Sequence, residues 1–99
     1  MKSFYGGTYV GKEILEENHI YYPIRLEYYK IEKEENSRSF YGIEVVKTEY
    51  QKEGIKIENK VIENITEEEK QINNILEKLK IGTVTPQGSS EIITELVGA

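Results

Sequence analysis

The sequence predicts an α+β fold, in which an antiparallel meander of three to four strands is followed by one or two C-terminal helices packed on one face. Three observations support this prediction. Apolar residues alternate with period two through much of the first two-thirds of the chain, polar turns separate these stretches, and an apolar stripe with helical spacing lies in the last third. The chain has 99 residues, so we expect a single domain spanning 1–99.

Four strands are predicted, at about residues 8–15, 19–33, 40–50 and 55–65. The first is weak, because Gly6, Gly7 and Gly11 loosen its ends. Short polar turns separate the others, and turns of that length favour antiparallel pairing of neighbours along the chain. Gly54 suits a tight hairpin turn between the last two strands, because glycine tolerates positive φ.

Two irregularities are predicted within the strands. Apolar positions in the second strand change phase between Tyr28 and Tyr29, which indicates a β-bulge. The consecutive pair Val61 and Ile62 in the fourth strand indicates either another bulge or burial on both sides. In that strand Ile55, Ile57, Val61 and Ile65 are predicted to share one face.

Helices are predicted at about 67–81 and 89–97. Thr66 and Glu69 have the spacing of a capping box, and Gly82 suits the position after the last helical turn. The first helix carries an apolar stripe at i, i+3, i+4 and i+7, formed by Ile72, Ile75, Leu76 and Leu79. The second helix has two candidate starts: Pro86 suits the first helical position, and Ser89 is a candidate cap.

Composition excludes several kinds of chemistry. The chain has no Cys, no Asp and one His, so it offers no disulfide, no thiolate metal site and no thiol nucleophile. We predict no catalytic residues, no metal site and no cofactor, and therefore a protein that is not an enzyme. No apolar run approaches the roughly 18 residues of a membrane span, and the N-terminus lacks the apolar region of a signal peptide, so we expect a cytoplasmic protein. A net charge of −5 disfavours nucleic-acid binding.

Tyrosine is the most unusual residue type, with eight copies. Two adjacent pairs lie in the second strand, and adjacent strand residues point to opposite faces. If helices cover one face, the other carries exposed rings suited to protein binding. Ordinary core and cross-strand packing is the other interpretation. The candidate partner-binding residues are Tyr21, Tyr22, Arg25, Tyr28, Tyr29, Tyr41 and Tyr50, and His19 is a candidate ligand contact.

Three segments carry a resemblance to a known family: residues 41–49 (YGIEVVKTE), 62–66 (IENIT) and 84–86 (VTP). Over about residues 25–97 the chain resembles an uncharacterised family of small proteins from anaerobic Gram-positive bacteria, classed as a domain of unknown function. The resemblance implies the order strand, hairpin, helix. It transfers no active site.

The sequence therefore predicts a small intracellular, non-catalytic protein-binding module that acts as an inhibitor or adaptor. A narrower version is an anti-defence inhibitor of a phage or mobile element. The alternative is an oligomeric protein that binds or sequesters a small ligand, with tyrosines, Arg25 and His19 lining a pocket between subunits. A protein partner is expected, and association with further copies of the chain is left open.

Overall fold

The computed structural model describes residues 1–11 and 22–98. Four strands form one sheet in the order β1-β2-β3-β4, and each pairs antiparallel with its neighbour along the chain. Two helices follow, so the predicted α+β meander is confirmed. The elements are β1 (Lys2–Val10), β2 (Ile24–Glu35), β3 (Arg38–Gln51), β4 (Gly54–Thr66), α1 (Glu69–Ile81) and α2 (Pro86–Gly98).

Tight turns set the register of the β2–β3 and β3–β4 hairpins. Asn36 and Ser37 have φ of 52° and 64° and join β2 to β3 between the paired residues Glu35 and Arg38. Two consecutive residues at positive φ are characteristic of a type I′ hairpin turn, whose twist matches that of the flanking strands. Gly54 has φ of 146° at the β3–β4 turn, as its residue type predicts.

The prediction for β1 is wrong at its start, because the strand begins at Lys2 rather than residue 8. Gly6 and Gly7 lie inside the strand instead of ending it. A Cβ on Gly7 would lie 2.7 Å from the carbonyl oxygen of Leu26, so a close backbone approach requires glycine there. Strand β2 begins at Ile24, so residues 22 and 23 of the predicted strand lie before it. Residues 12–15 and 19–21 of the predicted strands lie outside the described part of the chain.

The bulge predicted in β2 is on the neighbouring strand. Strands β2 and β3 pair without a shift, whereas the β1–β2 register shifts between Phe4 and Gly6. Tyr5 is the extra residue, opposite Tyr28 and Tyr29. The apolar residues of β2 therefore move from one face of the sheet to the other at Tyr29, without a bulge in β2 itself.

A second irregularity follows Ile62 in β4, where the register against β3 shifts and Asn64 has φ of 54°. This agrees with the bulge predicted near Val61 and Ile62. The shift has a consequence for Ile65: it packs against the core, while Ile55, Ile57 and Val61 are exposed. The prediction that these four residues share one face is therefore wrong.

Helix α1 starts without the predicted capping box. Its N-cap is Glu68, which makes no side-chain cap, and Glu69 is the first helical residue. The Thr66 hydroxyl instead accepts from the Glu68 N–H at 3.1 Å and donates to the Gln71 side-chain oxygen at 2.6 Å. Thr66 still satisfies one free amide of the helix start, although it lies two residues earlier than a cap.

The end of α1 and the start of α2 also differ from expectation. Gly82 keeps an ordinary φ of −79°, and Thr83 takes the left-handed conformation with φ of 52°. The Val84 N–H then donates to the Leu79 carbonyl at 3.0 Å, which closes the helix end. Helix α2 begins at Pro86, the earlier of the two candidate starts. Ser89 is buried within it, and its hydroxyl donates to the Pro86 carbonyl at 2.8 Å.

Both helices pack on the same face of the sheet, and the core lies between the two layers. Helix α1 contacts β2 and β3, and α2 contacts β4 and β3. The buried apolar residues are Ile24, Leu26, Tyr28, Tyr41, Ile43, Val45, Ile72, Ile75, Leu76, Leu79 and Ile93. The predicted helical stripe of α1 therefore faces the core. Neither helix is long and apolar enough to cross a membrane.

Candidate functional site: the open face of the sheet

The face of the sheet opposite the helices is the candidate functional site, and we call it the open face. Residues paired across antiparallel strands place their side chains on the same side. One cross-strand row joins Phe4, Tyr29, Glu44 and Val61, and another joins Tyr9, Arg25, Thr48 and Ile57. The remaining members are Lys2, Gly7, Glu27, Ile31, Gly42, Val46, Tyr50, Ile55 and Asn59, with Lys33, Glu35, Arg38 and Phe40 toward the β2–β3 turn.

Large apolar side chains of the open face are accessible to solvent. Phe4, Tyr9, Ile55 and Ile57 are each 60–62% exposed, and Val61 and Tyr50 are exposed to a smaller extent. Single exposed apolar residues are ordinary on a protein surface, but a contiguous group of them is typical of an interaction site. Tyr9, Tyr50, Ile55 and Ile57 adjoin one another through the Tyr9–Tyr50 ring contact and the pairing of Tyr50 with Ile55. Phe4 and Val61 lie at the two ends of the row that also contains Tyr29 and Glu44.

Two aromatic pairs stand on the open face. The rings of Phe4 and Tyr29 meet edge to face with centroids 5.6 Å apart, and Tyr9 and Tyr50 lie 6.4 Å apart. The Lys2 ammonium lies 4.9 Å from the centre of the Tyr29 ring, within range of a cation–π interaction. These contacts hold the rings in place before any partner arrives.

A cleft of about 390 Å³ lies between the aromatic pairs at the β1 edge. Its floor is Gly7, which has no side chain, and its walls are Phe4 and Tyr9. Arg25 and Glu27 provide the polar groups at its rim. The carboxylate of Glu27 accepts a hydrogen bond from the Tyr29 hydroxyl at 2.8 Å. The cleft is large enough for one apolar side chain of a partner or for a small ligand.

Glu44 is a buried carboxylate in the middle of this surface, with 9% of its area exposed. It accepts hydrogen bonds from Lys2 Nζ at 2.9 Å and from Asn59 Nδ2 at 3.0 Å. Burial by itself would raise the pKa of Glu44, but these two hydrogen bonds and the charge of Lys2 outweigh it and lower the pKa below its ordinary value. The hydrogen bond from Lys2 to Glu44, together with the negative charge of Glu44, raises the pKa of Lys2.

The residues singled out from the sequence fall into three groups: those on or near the open face, those in the core, and those outside the described part of the chain. Arg25, Tyr29 and Tyr50 lie on the open face, and Tyr22 is exposed just before β2. Tyr28 and Tyr41 are in the core, which removes them from the candidate surface. Tyr21 and His19 lie outside the described residues. The Tyr28 hydroxyl donates to the Val84 carbonyl at 2.8 Å, and burial raises its pKa to about 12.

Sequence reasoning missed several members of the open face: Phe4, Tyr9, Ile55, Ile57, Val61, Glu44 and Lys2. The alternation does not reveal Phe4, because Gly6 and Gly7 interrupt the apolar pattern directly after it. The alternation of Ile55 and Ile57 was visible, but alternation alone does not distinguish a covered face from an open one. Within residues 1–11 and 22–98, no group of three or more His, Cys, Asp or Glu is placed to hold a metal ion.

Comparison with known protein families gives a match over most of the chain. The sequence profile of the family described as "Family of unknown function (DUF6514)" matches residues 9–99. Comparison with curated proteins and comparison with solved structures each gave no significant match. The matched segment includes all of β2, β3, β4 and both helices. The chain therefore belongs to the DUF6514 family of unknown function.

Proposed function

We propose that this protein is a small, non-catalytic protein-binding module of the cytoplasm, acting as an inhibitor or adaptor, and that the open face is its binding surface. The observation that carries the proposal is the exposure of Phe4, Tyr9, Ile55 and Ile57 on one contiguous face that neither helix covers. Burying such a surface against a partner removes apolar area from water, which is the main driving force of protein association.

The aromatic pairs add to this argument. Tyrosine and phenylalanine bring a large contact area and lose little conformational entropy, so they commonly dominate binding energy at protein interfaces. Tyr29 is already fixed by Phe4 on one side and by its hydrogen bond to Glu27 on the other. A ring that is fixed beforehand costs less to order on binding.

Electrostatics argue against nucleic acid as the partner. Affinity for nucleic acid comes largely from cations that neutralise phosphates. On the open face Lys2 is paired with Glu44, and Arg25 lies beside Glu27 at the cleft. The surface therefore offers little net positive charge, whereas its apolar side chains suit a protein.

A narrower version of the proposal is an inhibitor carried by a phage or mobile element of anaerobic Gram-positive bacteria. Its support is the resemblance carried by residues 41–49, the small size of the chain and the net charge of −5, which suits a basic protein surface. This version goes beyond the open-face argument and stands or falls separately.

The alternative is an oligomeric small-ligand-binding protein, and the cleft over Gly7 is the observation that favours it. Two aromatic walls and the Arg25 guanidinium would suit a planar, partly anionic molecule. A screen of small molecules by amide chemical shifts tests it. Shifts confined to Gly7, Tyr9 and Arg25 would support the alternative, and a screen without such shifts would count against it.

Site-specific photo-crosslinking in the native host tests the binding proposal. A benzophenone amino acid replaces Ile57 on the open face, or Ile81 at the end of α1, as a control residue of the same type that is 74% exposed. We expect protein adducts from position 57 and few or none from position 81. No adducts at position 57, or equal adducts at both positions, would contradict the proposal.

A further inference from the structure

We infer that the partner that fits the open face is a second copy of this chain, packed sheet to sheet across a two-fold axis parallel to the strands. This inference rests on the proposed function, because it names the occupant of the same surface. Three features of the open face support it: the arrangement of its protruding and recessed residues, its area and its charge.

The two halves of the open face have complementary shapes. The β1 half carries a recess at Gly7 between the rings of Phe4 and Tyr9. The β4 half carries protruding aliphatic side chains, Ile57 and Val61, in the same cross-strand rows as Tyr9 and Phe4. Between them the exposed Asn59 lies in the same cross-strand row as Gly7, so the recess of one half corresponds to an exposed side chain of the other.

A two-fold axis parallel to the strands brings these complementary halves together at two symmetry-related places. It places β4 of each copy over β1 of the other and keeps each cross-strand row facing itself. Ile57 of one copy then lies against Tyr9 of the second copy, Val61 lies against Phe4, and Asn59 faces the Gly7 recess. An interface of this kind repeats the same contacts on both sides, as expected for a symmetric dimer. Two aligned sheets about 10 Å apart form an ordinary sandwich.

The available area is close to what a stable dimer needs. The six exposed apolar side chains present on the order of 600 Å² per copy, given that a large aromatic residue carries roughly 150–250 Å². The neighbouring side chains of Arg25 and Asn59 bring the patch toward the roughly 800 Å² that a standard interface buries on each partner.

Charge on the open face favours a copy of the same chain over a strongly charged partner. The chain has a net charge of −5, yet the rows of the open face that carry its exposed apolar side chains hold two carboxylates, Glu27 and Glu44, and one cation, Arg25, while Lys2 reaches Glu44 from the neighbouring row. Two such faces meet without excess like charge, which would otherwise oppose association. Because Glu44 is already paired with Lys2 and Asn59, it enters the interface without becoming an unpaired buried charge.

Sedimentation equilibrium of the purified chain tests the inference. We expect a mass twice the 11.5 kDa of the chain at about 100 µM, well above the micromolar Kd at the weak end for interfaces of this size. Ile57→Glu should weaken the dimer about 100-fold, as at a central hot spot, whereas Ile81→Glu should leave it unchanged. Circular dichroism of both variants checks that each is folded.

Cross-linking tests the geometry, because the chain has no cysteine of its own. Tyr9→Cys and Ile57→Cys proteins are mixed and treated with a short bis-maleimide. We expect a cross-linked pair from the mixture and little from either protein alone. Equal cross-linking of either protein by itself would overturn the proposed two-fold arrangement.

The outcomes separate this inference from the proposed function. A monomer at about 100 µM, or a dimer equally stable in Ile57→Glu and Ile81→Glu, overturns the inference. If position 57 then still gives adducts with a different protein in the native host, the proposed function stands with another partner. If position 57 gives no adduct at all and the chain is monomeric, both fail.

Discussion

Lys2 Nζ lies 2.9 Å from Glu44 Oε1, so the second residue of the chain is paired with a buried carboxylate 42 positions later. The pair links the edge strand β1 to β3 across Tyr29 of β2. It is the reason that a carboxylate can lie charged in the middle of an otherwise largely apolar face. The lowered pKa of Glu44 predicts how the stability of the fold changes in acid.

Stability should fall in acid partly because of Glu44. Its pKa is lower in the folded protein than in the unfolded chain, so its contribution is fully present above the unfolded pKa, near 4.5. The contribution is lost as pH falls through the lower folded pKa. Urea unfolding of the wild type from neutral pH down to acid should therefore show a steeper loss of stability than Glu44→Gln. Glu95→Gln, at an exposed position of α2, should behave as the wild type, and identical curves for all three proteins would contradict this role.

Ionisation of Tyr28 should make the fold lose stability as pH rises above about 10. Burial raises its pKa from 10.0 to about 12, so its contribution is present below pH 10 and is lost as pH rises through about 12. Unfolding free energy of Tyr28→Phe should depend less on pH in that window than that of the wild type. At neutral pH the variant should lose about 1 kcal/mol, because the hydrogen bond to the Val84 carbonyl is removed.

Tyr50→Phe is the matched control for Tyr28→Phe, since it removes a hydroxyl from an exposed ring of the open face. Its stability at neutral pH should stay within about 0.5 kcal/mol of the wild type. An equal loss in both variants would mean that the Tyr28–Val84 contact has no special role in fixing the segment between the helices.

Gly7 should tolerate no side chain. Gly7→Ala places a methyl group 2.7 Å from the Leu26 carbonyl oxygen, so the two strands must move apart. We expect a loss of about 1–3 kcal/mol in unfolding free energy, in the range of other overpacking changes. The matched control is Gly88→Ala in α2, where the new methyl has no neighbour closer than 3.9 Å. That change should stabilise the protein by roughly 0.5–1 kcal/mol, because alanine favours helix over glycine. A Gly7→Ala protein as stable as the wild type, or more stable, would contradict the close strand approach at Gly7.

Truncating an isoleucine to alanine should lower the unfolding free energy more on the helix-covered face of the sheet than on the open face. Ile43 is fully buried under the helices, so Ile43→Ala should cost about 2–5 kcal/mol in unfolding free energy. Ile57→Ala should cost less than about 0.5 kcal/mol in dilute protein, because that side chain is exposed in the single chain. If two copies associate through the open face, the cost at position 57 should grow with protein concentration. A cost at position 57 equal to that at position 43 in dilute protein would place Ile57 in the core.

Much of the fold could be predicted because its signals are local. The stripe from Ile72 to Leu79 has helical period and faces the core as expected. The β2–β3 and β3–β4 hairpins follow from polar turns of few residues. The start of β1 could not be predicted in the same way, since Gly6 and Gly7 interrupt the apolar pattern. Only the close approach of Gly7 to the Leu26 carbonyl of β2 explains why glycine is needed at that position.

Which residues form the candidate site depends on how the helices pack on the sheet, and no single segment of the sequence specifies that packing. The sequence by itself determined the alternation within each strand, the helical stripe and the absence of cysteine and aspartate. It also placed Tyr28 and Tyr29 on opposite faces, but it did not say which face the helices would cover. The tertiary structure decided that by packing α1 and α2 over Tyr28 and leaving Tyr29, Ile57 and Phe4 on the other side. The physical reason is that burial is a property of two packed layers, whereas alternation is a property of one strand.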